Sequence, residues 1–119
     1  MAVELHREPG TNVLEIRVTD KLTAGDFARI EPILSEMIRE HGKIRLLFDL
    51  LERSSLDIAA LWEDVKFEIR HVGHVERLAV VGEGRLHELV TRAFNWLTKA
   101  EIRHFEHTEN YVARDWLKS

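Results

Sequence analysis

Asp49 closes an apolar run, Leu46-Leu47-Phe48-Asp49-Leu50, at the carboxyl end of a predicted strand. That is where α/β proteins place groups that meet a ligand. Ser54 and Ser55 follow closely, and the chain carries seven histidines, so a Ser–His–Asp relay is conceivable. Neither serine stands in the Gly-x-Ser-x-Gly setting that holds a nucleophile on a strained turn. Both therefore read as connector or capping residues, and no catalytic residue is expected. His71 and His74 are three apart but straddle Gly73, and His104 and His107 lie where a strand gives way to a turn. Neither pair has the fixed geometry of a metal set, so they read as surface histidines with no metal site. Gly82-Glu83-Gly84 opens a helix after a strand, the place for a phosphate-binding turn. It lacks the third glycine of a dinucleotide fingerprint, and no Gly-Lys-Ser/Thr follows. A tight strand-to-helix turn is the reading, with no cofactor.

The elements that must position these residues follow from pattern. Glu8-Pro9-Gly10-Thr11-Asn12 is a turn between strands Ala2–Arg7 and Val13–Val18, giving a hairpin. Thr23 is a natural N-cap with Asp26 in the first turn, and a helix is expected to about His41. Phe27, Ile30, Leu34, Met37, Ile38 and His41 share one face; Pro32 inside predicts a kink or a loosened turn, and Gly42 the stop. Lys43–Leu50 reads as a strand covered on both faces. A polar connector, Glu52-Arg53-Ser54-Ser55, leads to a helix over Asp57–Val72. Arg77–Val81 is another buried strand, Arg85–Lys99 a third helix, Ile102–Phe105 a last strand and Glu109–Leu117 a last helix. The order β-β-α-β-α-β-α-β-α calls for an α/β fold with a mixed, mostly parallel five-stranded sheet and four helices.

Composition sets the class. At 119 residues, 45% apolar and 32% charged, the chain reads as one globular domain over 1–119. It has no cysteine, which excludes thiolate catalysis and cysteine metal sites and favours a reducing, cytoplasmic setting. The first residues, Met1-Ala2-Val3-Glu4-Leu5-His6-Arg7, have no leader pattern, and no run reaches the ~20 apolar residues of a membrane span. A net charge of −4 argues against nucleic acid as a partner.

What stands out is an apolar surplus. On the second helix Ile58, Leu61, Trp62, Val65, Ile69 and Val72 form the inward stripe, and Phe67 points about 180° from Ile58. On the third, Leu86, Leu89, Val90, Ala93 and Leu97 form the stripe, and Phe94 and Trp96 widen it on opposite flanks. One sheet face does not need so broad an arc, and each large side chain left wet forgoes roughly 1.5–3 kcal/mol. The expectation is an apolar groove between these helices lined by Trp62, Val65, Phe67, Ile69, Leu89, Ala93, Phe94 and Trp96. An apolar small molecule or lipid would fill it; a membrane surface, a protein partner or a second copy of the chain would cover the same residues.

The run Ile58-Ala59-Ala60-Leu61-Trp62-Glu63-Asp64-Val65-Lys66-Phe67 resembles the bacterial SpoIIAA-like family of the STAS superfamily. Arg77-Leu78-Ala79-Val80-Val81-Gly82, Ala100-Glu101-Ile102-Arg103-His104-Phe105 and Ala113-Arg114-Asp115-Trp116-Leu117 continue the likeness in the family's order. The resemblance implies a sheet of about five strands flanked by helices, and a binding module rather than an enzyme. It carries two functional readings. The family's fold looks like that of the CRAL-TRIO lipid carriers, which implies helices that open over an apolar cavity, with peripheral membrane association. Its namesakes are anti-sigma-factor antagonists, which bind a kinase and are phosphorylated on a serine of an Asp-Ser-Ser-Gly loop. Here that loop reads Leu51-Glu52-Arg53-Ser54-Ser55-Leu56, so Ser54 or Ser55 stands near the phosphoacceptor position without its acidic and glycine neighbours. After Gly82 the family often has Trp, where this chain has Arg85-Leu86-His87.

Overall fold

The computed structural model describes residues 3–51, 55–56, 74–82 and 100–119. Strand β1 (Val3–Arg7) runs antiparallel to β2 (Val13–Val18), with Val3 opposite Val18 and Arg7 opposite Leu14. The turn between them is tied by the Glu8 N–H donating to Val13 O at 3.2 Å and the Thr11 hydroxyl to Glu8 O at 3.0 Å. Gly10 there has φ 75, which a glycine adopts without steric cost. A two-residue strand β3 (Lys21–Leu22) precedes helix α1 (Ala24–His41). Next come β4 (Ile44–Leu50), the short β5 (Ser55–Leu56), β6 (Val75–Val81) and β7 (Glu101–Phe105). A 3-10 turn, His107–Glu109, leads into α2 (Asn110–Lys118).

The main sheet has the order β1-β2-β4-β6-β7, parallel throughout except for the β1 edge. This is the mixed, mostly parallel five-stranded sheet that the sequence predicts. Among the described residues there are two α-helices rather than four. The two expected over 57–72 and 85–99 lie outside the described residues. A small second sheet was not foreseen: β3 and β5 pair in parallel, so Ser55, read as part of a polar connector, belongs to a strand. Two residues are too few to show a period of two, and the pairing is invisible without the third dimension.

The burial pattern explains why each strand reads as it does. Leu14, Ile16 and Val18 of β2, Leu46, Phe48 and Leu50 of β4, and Leu78 and Val80 of β6 form one face with Ile30 and Met37 of α1. Ile33, Leu34 and Ile38 pack against that cluster. On the opposite face Val13, Leu47, Ala79 and Val81 meet Ala113 and Leu117 of α2. The two helices therefore cover opposite faces, and β4 and β6, covered on both, are nearly continuously apolar.

Helix α1 keeps its foreseen ends. The Asp26 carboxylate accepts both the Thr23 N–H, at 2.9 Å, and its hydroxyl, at 3.0 Å, and the Gly42 N–H donates to Ile38 O at 2.7 Å with φ 78. Pro32 lies inside the helix, as expected; it and Ala28, whose carbonyl loses its helical partner, are both exposed, so water can take the bond. One detail differs from expectation. His41 is exposed rather than part of the buried stripe, and its ring lies 3.6 Å from Glu40.

At its far end α2 is clamped by arginines. Arg45 donates to Leu117 O at 2.7 Å and Arg77 to Trp116 O at 2.8 Å, placing two cations at the negative end of the helix dipole. The Trp116 ring is flanked by Arg77 at 5.3 Å and Arg103 at 4.8 Å, with Phe105 tilted against it at 6.0 Å.

Candidate functional site

Asp49 lies on the α2 face near the carboxyl end of β4, directly opposite Arg17 of β2. It is the one buried charged side chain among the described residues, 6% exposed. Its Oδ2 is 3.5 Å from Arg17 Nε, and its Oδ1 is 3.4 Å from His107 Nε2. Among the described residues neither Oδ1 nor that ring nitrogen has a hydrogen-bond partner, and both are closed to solvent. An unsatisfied pair in the interior calls for an explanation, because each such atom costs about 1–3 kcal/mol. Geometry supplies part of it: β4 fixes the carboxylate, and the turn after β7 brings the imidazole across it.

The charges continue toward the β1 edge. Arg114 of α2 donates to Glu15 of β2 at 2.9 Å. That hydrogen bond, and then the nearby charges of Glu15, Asp49 and Glu8, hold the Arg114 guanidinium above its ordinary range. Arg17 also reaches Glu4 of β1 at 3.7 Å. Glu8 pairs with Lys118 at 2.9 Å, a hydrogen bond that holds its carboxyl below the usual carboxylate range. Half of this sheet face is thus apolar under α2, and half is a charged layer running from β1 to Asp49.

Chemically, a buried carboxylate beside an imidazole can fix the orientation of the ring. Sequence alone singled out Asp49, whose signal was a charge at the end of an apolar run. It did not single out Arg17 or His107 as the neighbours, since their approach depends on sheet register and on the turn after β7.

The remaining candidates separate. His104 Nε2 donates to Gly82 O at 2.6 Å and His74 Nδ1 to Gly42 O at 3.1 Å, so these rings brace loops, while His107 faces Asp49. His104 and His107 do not converge on one point. Gly82, read as a turn glycine, is explained by close approach: a Cβ there would lie 3.0 Å from Leu50 Cβ. Its N–H donates to Phe105 O at 3.1 Å and is not free for a phosphate. All eight proposed groove residues, Trp62, Val65, Phe67, Ile69, Leu89, Ala93, Phe94 and Trp96, lie outside the described residues, as does Ser54. Ser55 is placed only by its backbone, in β5.

A five-stranded sheet with one antiparallel edge, α1 on one face and a C-terminal helix on the other, defines an α/β protein with a SpoIIAA-like fold. The chain belongs to the SpoIIAA-like family, whose model matches residues 13–118. It is similar, at 30% identity and a TM-score of 0.68, to the crystal structure of an uncharacterized protein of the DUF3478 family with a SpoIIAA-like fold from Shewanella loihica PV-4. That likeness covers 98% of this chain and 92% of the other. Among curated proteins none matches. No helix of the described residues is long and apolar enough to cross a membrane.

Proposed function

We propose that this protein is a non-catalytic binding module that takes an apolar small molecule or lipid chain between segments 57–72 and 85–99, with peripheral membrane association through the same residues. The observation that carries it is the surplus of large apolar side chains, Trp62, Phe67, Phe94 and Trp96, beyond the stripes those segments need to cover a sheet. A second observation supports the non-catalytic part. A general base must reach the proton it takes, whereas the facing atoms of Asp49 and His107, the best acid–base pair among the described residues, are shut away from solvent. Delipidated protein is expected to bind a fluorescent fatty acid saturably, and Trp62→Ala to weaken that binding at least about fivefold, the equivalent of about 1 kcal/mol of lost contact. No saturable binding by monodisperse protein would remove the proposal.

The alternative reading, a protein-interaction switch of the anti-sigma-antagonist kind, predicts a phosphate on Ser54 or Ser55 and a bound kinase. Intact mass and pull-down from the native host separate the two readings.

A further inference from the structure

On the α2 face, beside Arg114, the hairpin assembles three side chains of metal-binding chemistry. His6 and Glu15 are cross-strand partners, and Glu8 follows His6 by two residues. One ligand atom from each lies within 4.8 Å of the others. The set mixes an imidazole and two carboxylates. We propose that His6, Glu8 and Glu15 form a binding site for a divalent transition-metal ion of the zinc type.

Three observations favour it. First, one nitrogen and two oxygens suit zinc, manganese or cobalt rather than a soft monovalent ion. Second, the reach is short: ligand atoms on a tetrahedral ion at about 2.1 Å stand about 3.4 Å apart, so the trio must close by little more than an ångström. His6 is exposed and free to turn, and among the described residues its ring makes no hydrogen bond. Third, both carboxylates are oriented by α2. Glu15 Oε1 accepts from Arg114 and Glu8 Oε1 pairs with Lys118, each at 2.9 Å, so each carboxylate is held by one oxygen and has a second to offer. Outer partners of this kind commonly hold ligating carboxylates in place. The competing ammonium is a weak rival, because Lys118 is 41% exposed and such pairs contribute little net stability.

The test is a zinc titration of tag-free protein, first stripped with EDTA, by calorimetry and native mass spectrometry. One equivalent is expected, with weaker binding in acid because the ligands must lose their protons. His6→Ala and Glu15→Gln should each weaken binding at least about tenfold, as loss of a ligand outweighs loss of an outer partner. His41→Ala, an exposed histidine elsewhere, should leave it unchanged. Circular dichroism of each variant confirms the fold, and the exposure of His6 makes its variant the safe one. Saturable uptake absent in the wild type, or uptake equally affected by His6→Ala and His41→Ala, overturns the proposal. So does one equivalent that survives His6→Ala and Glu15→Gln unchanged.

Discussion

Replacing Asp49 by Asn is expected to make the protein more stable. The Asp49 carboxylate is almost wholly enclosed, yet its neighbours stand off at 3.4 and 3.5 Å, and among the described residues Oδ1 makes no hydrogen bond. The Arg17 partner is 53% exposed, so solvent screens the pair and its contribution is at most about 1 kcal/mol. Against this stands the cost of a buried, unmatched polar atom, about 1–3 kcal/mol for Oδ1 alone. Asn keeps the shape, removes the charge and can turn its amide N–H toward His107 Nε2, which accepts when the ring proton sits on Nδ1. Arg114 loses one of the lesser charges that favour its protonated form but keeps Glu15. The balance is a net gain of about 1–2 kcal/mol. Urea unfolding at neutral pH, followed by circular dichroism, should show a higher midpoint at unchanged slope, and the melting temperature should rise by about 4 °C per kcal/mol. Adding His107→Ala should shrink the gain, since the acceptor is then gone. If Asp49→Asn unfolds more easily than the wild type by over about 1 kcal/mol, the carboxylate is well compensated and the reasoning fails.

Two further outcomes concern α2 and the acid limit. Leu117 is fully buried against Val13, Leu47, Ala79 and Val81, so Leu117→Ala should cost about 2–5 kcal/mol in urea unfolding; a loss below about 1 kcal/mol would mean that α2 is not a firm part of the fold. Because the Lys118 hydrogen bond lowers the Glu8 carboxyl, that group favours folding above its ordinary value of 4.5 and ceases to do so as pH falls through its depressed folded value. With a chelator present, Glu8→Gln should therefore cost about 0.5 kcal/mol near neutral pH and nothing in stronger acid, as stability-against-pH curves of the two proteins would show. A constant offset at all pH values would rule out this linkage.

How far the sequence foretells the structure depends on which force fixes each part. The two core faces were legible because every second residue of β2 is buried, and because β4 and β6 have no polar face to spare. The ends of α1 were legible because Thr23, Asp26 and Gly42 act through bonds to neighbours in the chain. The Arg17–Asp49–His107 cluster was legible only at Asp49. Its partners come from residues 32 and 58 positions away, and only the parallel register of β2 on β4 and the path of the chain after β7 bring them in. The β3–β5 pairing escaped for the same reason, as did the meeting of His6, Glu8 and Glu15. There the hairpin was foreseen, but not that α2 would lay Arg114 and Lys118 against its glutamates.

The strand order has a consequence for behaviour in crowded solution. Among the described residues β1 pairs only with β2 and β7 only with β6, so each flank of the sheet presents a row of backbone groups that a foreign strand could adopt. Glu4, His6 and Arg7 punctuate one flank, and Glu101, Arg103 and His104 the other. A strand arriving from another molecule would have to strip water from charges of both signs before gaining a single ladder bond. The sheet is thereby discouraged from growing sideways into fibrils, although its interior strands are as greasy as any that would.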